Sequence, residues 1–148
     1  MIARKFHTFF GLSRLERRLA LKTIALVACV RLGLWLLPFR AIQRLSGKLG
    51  RIKRDRCGQA TTSEIVSAIR LASRYVPRAT CLVQAFAAQI LLGWHGHAGK
   101  VHIGVARDGK LGFRAHAWVE SQGRVIIGES DELASYSPML VLNVHDPH

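Results

Sequence analysis

Acidic residues are scarce in this chain: nine Asp and Glu stand against 22 Lys and Arg in 148 residues. The shortage is local. Residues 1–56 hold 14 basic side chains against Glu16 and Asp55, a net of +12, whereas the remaining 92 residues hold eight basic and seven acidic, a net of +1. Such a basic block suits nucleic acid, an anionic membrane surface or an acidic polypeptide. No zinc-finger pattern and no RNA-binding aromatic motif accompanies it, so nucleic acid is not an expected partner. Peripheral contact with a membrane stays open.

Cysteine is also sparse. Cys29, Cys57 and Cys81 form an odd, widely spaced set without a CxxC pair, which excludes a disulfide framework. Metal-ligand spacing is missing too: His95, His97 and His102 are accompanied by no recognisable further ligand, and no metal or cofactor is expected. The amino-terminal stretch MIARKFHTFFGLSRLERR lacks an apolar segment followed by a small-residue cleavage site, so the cytoplasm is the expected compartment.

Long hydrophobic runs are absent as well. In the apolar region Leu15 to Pro38 the uninterrupted runs Thr23–Val30 and Leu32–Pro38 are eight and seven residues long. A bilayer span needs about 20. Lys22 and Arg31 would each cost several kcal/mol in lipid, which favours an amphipathic or buried helix. What the composition does contain, 49% hydrophobic and 21% charged residues, is that of a folded chain of one catalytic domain's size.

Pro38 suits the start of a second helix, Phe39 to Ser46, which Gly47 and Gly50 are expected to end. Residues 47–62 are basic, glycine-bearing and without apolar periodicity, a connector between a basic helical region (1–60) and a core (61–148), which together are expected to form one unit. Thr61 and Glu64 have capping-box spacing before a helix from Ser63 to Tyr75, with Ile65, Ile69, Ala72 and Val76 on one face. Pro77 stops it. Thr80 is the expected N-cap of a helix from Cys81 to Leu92, ended by Gly93.

Strands follow. Residues 100–107 alternate, Asp108-Gly109 signals a two-residue hairpin, and residues 110–121 form the partner strand. Gln122-Gly123 makes a second turn before a third strand at 124–129. The expected class is α+β: helices, the last one catalytic, packed on a small antiparallel sheet.

Cys81, at the first position of its helix, lies near free N–H groups and the positive end of the helix dipole, a setting that activates a thiol. A structural alternative is a small buried hydrophobe. Among seven histidines, His7, His145 and His148 lie in terminal segments and His95 and His97 in a loop; His102 and His116 lie on strands. Only His116 precedes a hairpin carrying an acid. A two-residue turn at Gln122-Gly123 pairs Trp118 with Ile127 and His116 with Glu129, about 5 Å apart on one face. Asp131 reaches the same side if a bulge shifts the register.

At these residues the chain resembles the leader peptidases of lasso peptide biosynthesis, which are similar in fold to transglutaminases and papain-like cysteine peptidases. The pieces are Pro77, Cys81-Leu82, Ala85, Leu91-Leu92, Ile103-Gly104-Val105 and, most specific, Ala115-His116-Ala117-Trp118-Val119-Glu120 with Gly123. The resemblance covers about 63–140 well and the Arg-rich start with Leu-Pro-Phe-Arg at 37–40 more loosely. It implies a transglutaminase-like peptidase with Cys81 as nucleophile and His116 as base. It further implies three partners: the leader of a precursor peptide, a separate leader-binding protein and an ATP-dependent, asparagine-synthetase-like cyclase. The family's acid often stands twelve residues after the histidine. Gly128 occupies that place here, and Glu129 is the substitute. An acyltransferase or transglutaminase on the same triad, and a non-catalytic membrane-surface or scaffold protein, are the alternatives.

Overall fold

The computed structural model describes residues 13–52, 60–108 and 112–143. Cys57, His7, His145, His148 and the Gly109 turn position lie outside them. Four helices precede four strands: α1 (Arg14–Leu36), α2 (Phe39–Gly50), α3 (Thr62–Tyr75), α4 (Cys81–Trp94), β1 (Lys100–Asp108), β2 (Gly112–Ser121), β3 (Arg124–Ile127) and β4 (Ser137–Asn143). The α+β expectation holds.

Local chemistry starts two of the helices. Ser13 and Glu16 form a capping box on α1: the Ser13 hydroxyl accepts the Glu16 N–H at 3.3 Å and the Glu16 carboxylate accepts the Ser13 N–H at 2.7 Å. Thr61 and Glu64 repeat it on α3. Each reciprocal pair satisfies donors that the helix start would leave open. Val76, held extended before Pro77, terminates α3 as the sequence requires.

Helix α4 is apolar all round and lies at the centre. On one side Phe86, Ile90 and Val83 pack with Val27 and Val30 of α1, Ile42 of α2 and Ala72 of α3. On the other, Ala85, Ala88, Leu91 and Leu92 pack with Ile65 and Ile69 of α3 and with Val101, Ala117, Val119 and Ile127 of the sheet. Full burial of Phe86 alone contributes roughly 2–3 kcal/mol. The one long polar side chain buried in α4, Gln89, accepts from the Ser46 hydroxyl at 3.1 Å.

Two helix ends differ from expectation. α2 runs through Gly47 to Gly50, and α4 runs through Gly93 to Trp94. The glycines serve close approach instead of termination: a Cβ on Gly93 would stand 2.0 Å from the Gly50 carbonyl oxygen, and one on Gly50 would stand 3.2 Å from the Gln89 oxygen. Trp94 seals the contact by donating its indole N–H to the Leu49 carbonyl at 2.8 Å.

The sheet is antiparallel in the order β3-β2-β1-β4. The hairpin of β1 and β2 is longer than a two-residue turn: Arg107 pairs with Phe113, and Asp108 with Gly112. His102 therefore stands opposite Trp118, and Gly104 opposite His116. β4 was not expected from the sequence. Its Pro138 has no N–H to give and sits on an edge strand, where that is tolerated.

The glycine contacts yield predictions of opposite sign. Gly93→Ala should destabilise the fold by roughly 1–3 kcal/mol through overpacking. Gly47→Ala, with no neighbour within 4 Å, should stabilise it by about 1 kcal/mol through helix propensity. Urea unfolding followed by circular dichroism measures both.

Candidate functional site

Cys81 is the first residue of α4, delivered there by the turn at Pro77-Arg78-Ala79. Arg78 has a positive φ of 57°, and its carbonyl accepts the Thr80 N–H at 2.9 Å. The Gln84 side chain braces the turn by donating to the Ala79 carbonyl at 3.0 Å. Thr80 is the N-cap, as expected, but its hydroxyl makes no cap hydrogen bond. The N–H groups of the first turn therefore remain open beside a half-buried cysteine. Cys29, by contrast, is exposed in the middle of α1.

His116 lies on β2 and is half-buried. Its neighbours Ala117 and Val119 enter the cluster beneath α4, against which Cys81 also packs. Strand alternation turns His116, Trp118 and Glu120 toward the other face. There the Trp118 ring stacks on His102 at 5.2 Å and 5°, with the His116 ring 6.3 Å from Trp118 and 5.3 Å from Tyr136. His102 Nε2 is buried 3.4 Å from the Glu120 carboxylate without a well-formed hydrogen bond. The segment joining β3 to β4 must pass from one edge of the sheet to the other. It is tied to β2 by Gly128 against His116 and by the Arg114–Glu132 ion pair at 2.8 Å.

The expected pairing of His116 with Glu129 does not occur. Ser121 faces Arg124, but a bulge then shifts the register, so that Val119, not Trp118, pairs with Ile127, where β3 ends. The extra residue is Ile126, and it moves every later position by one. Glu129 and Asp131 are exposed, and neither carboxylate has a hydrogen bond to His116 among the described residues. No hydrogen bond joins Cys81 to His116 there either.

The partner of the imidazole is backbone. His116 Nε2 lies 2.7 Å from the Gly128 carbonyl oxygen. A carbonyl can only accept, so Nε2 carries the hydrogen and Nδ1 of the neutral ring keeps its lone pair. Gly128 has a φ of 79°, and a Cβ there would stand 2.5 Å from the Ala117 oxygen. An aspartate cannot occupy that place in this backbone. Gly128 and Tyr136 were missed by sequence reasoning. The glycine twelve residues after His116 was the visible signal for the first, and no periodicity marks the second.

The loop histidines hold structure. The Ala60 N–H donates to His95 Nδ1 at 3.2 Å, and His97 Nε2 donates to the Ala60 carbonyl at 2.7 Å, clamping the entry to α3. Burial, followed by the positive charge near His97 and Lys22, holds His95 below the ordinary histidine range, with Glu64 opposing. The folded state thus prefers the neutral ring, and the unfolded chain binds the proton more readily. This contribution to stability is complete above about pH 6.5 and is lost as pH falls below it. The thermal midpoint should drop over that acid range. His95→Asn, which keeps an acceptor but does not titrate, should flatten the drop in a calorimetric pH series.

A family model described as the transglutaminase-like superfamily matches residues 23–141. No curated protein and no solved structure matches the chain.

Proposed function

The chain belongs to the transglutaminase-like superfamily, and from that premise we propose that it is a cysteine peptidase with Cys81 as nucleophile and His116 as base. The observation that carries the reading is the placement of a half-buried cysteine at the uncapped start of α4. Peptide N–H groups and the helix dipole favour the thiolate there.

In this mechanism His116 Nδ1 takes the Cys81 thiol proton, the thiolate attacks the scissile carbonyl carbon, and the first-turn N–H groups of α4 receive the oxyanion. The amide C–N bond breaks as the protonated His116 imidazole gives its proton to the leaving amine. Nδ1 then takes a proton from water, which attacks the thioester and releases a carboxylate and the free thiol. Gly128 orients the ring through Nε2, the role assigned to Glu129 on sequence grounds. This mechanism requires thiol and imidazole to come within hydrogen-bond reach when substrate is bound, since no hydrogen bond joins them among the described residues.

The substrate we propose is the leader of a ribosomally made lasso peptide precursor, presented by a separate leader-binding protein. An ATP-dependent, asparagine-synthetase-like cyclase then closes the released core peptide. The AHAWVE block at 115–120 and the Cys81-Leu82 helix start support that choice. An amine in place of water would make the same acyl-enzyme a transferase intermediate.

Cleavage of a precursor in the presence of the leader-binding protein, read by mass spectrometry, tests the proposal. Cys81→Ala and His116→Ala should each lower the rate by roughly 10⁴-fold or more with an unchanged circular dichroism spectrum. Glu129→Ala should stay within about twofold. Undiminished cleavage by either of the first two variants refutes the assignment. Iodoacetamide near neutral pH should label half-buried Cys81 faster than exposed Cys29, and an inert Cys81 would favour a non-catalytic protein.

A further inference from the structure

We infer that the elbow between α1 and α2 docks the protein on an anionic lipid bilayer, lying in the interface without crossing it. Among the described residues eight of the eleven exposed large apolar side chains lie on these two helices, their elbow and the residues just past α2. The concentration is greatest at the elbow itself, where Trp35 is 74% and Leu36 69% exposed, with Leu32, Leu37 and Phe39 beside them. Apolar side chains scattered singly need no explanation, but a contiguous group of this kind marks a contact surface.

The elbow is held in place from within. The Phe39 ring meets the buried Phe86 of α4 at 5.9 Å, and the Leu37 N–H donates to the Gly33 carbonyl at 2.8 Å. An exposed tryptophan on a rigid apolar ridge suits the headgroup boundary, where an amphipathic ring has both a wet and a dry neighbour.

Charge identifies the occupant. From Ser13 to Ile52 the chain carries nine Lys and Arg against Glu16 alone. Arg40, Arg44 and Lys48 recur every four residues along the exposed side of α2, directly after the apolar elbow. This pairing of an apolar ridge with a basic flank complements an anionic membrane surface. A second copy of the chain would bring like charges together. Nucleic acid would leave the aliphatic ridge without a partner.

The ridge lies on the bilayer because the other side of α1 is already used. The stretch Glu16–Leu36 is 21 residues with a mean hydropathy of 1.8, long and apolar enough to span. Yet Ala20, Thr23, Val27 and Val30 are buried within the protein, and Lys22 and Arg31 interrupt the run. A helix packed into its own domain along one whole face cannot be surrounded by lipid.

Vesicle co-sedimentation of the full chain tests the inference independently of peptidase activity. Binding to phosphatidylcholine–phosphatidylglycerol vesicles should exceed binding to phosphatidylcholine alone by about tenfold or more and weaken with salt, since each basic residue near an anionic surface adds a factor of about five. The double substitution Trp35→Ser and Leu36→Ser, at exposed positions, should reduce binding to anionic vesicles by about tenfold or more. Bromine-labelled lipid should quench the fluorescence of exposed Trp35 in the unaltered protein, a readout that needs no variant. Equal affinity for neutral and anionic vesicles, absence of quenching, or resistance to extraction by high salt and alkaline carbonate would each overturn it. So would a dimer in vesicle-free solution that the double substitution dissolves, because the ridge would then be a protein interface.

Discussion

Helix α4 cannot face water on any side, and the architecture answers that constraint. Its buried run from Ala85 to Gly93 demands cover around the whole circumference. α1 and α2 supply one half of the cover, α3 and the sheet the rest. Where α2 comes closest the two backbones touch through Gly50 and Gly93, leaving no room for a methyl group. Partly open positions on α4 occur only at its ends, in the first turn and at Trp94. Cys81 is in that first turn, where the cover ends, which ties the placement of the thiol to the packing of the core.

The same constraint explains which parts of the fold were legible. The Thr61–Glu64 capping box, Pro77 and the period of α3 and α4 are local signals, and the structure reproduces them within a residue or two. Gly47, Gly50 and Gly93 misled because a glycine that terminates a helix and one that admits a neighbouring helix look alike in one dimension. The hairpin registers misled for a related reason. Asp108-Gly109 is a strong turn signal and Gln122-Gly123 a weaker one, but the first ladder closes at Asp108 and Gly112 and the second carries a bulge between Val119 and Glu120. β4 is short, lies at the edge and contains Pro138, so it carries little periodic signal of its own.

Of the candidate site, the placement of Cys81 at a helix start and His116 on a strand was legible, and the geometry around them was not. Cys81 at a helix start follows from Pro77 and Thr80 alone. His116 on a strand follows from alternation. The imidazole's partner does not, since a search among side chains cannot find a main-chain oxygen. One inserted residue, Ile126, is enough to move Glu129 out of register and bring Gly128 into hydrogen-bond range.

That main-chain oxygen behaves unlike a carboxylate under mutation. No single substitution can delete it, because every residue type has one; a substitution can only move it. Its hold on the ring is neutral at every pH and indifferent to salt. What makes the arrangement vulnerable is shape. The tight approach of Gly128 to Ala117 means that the smallest possible change, one added methyl group, disturbs the imidazole where loss of a nearby acid would not.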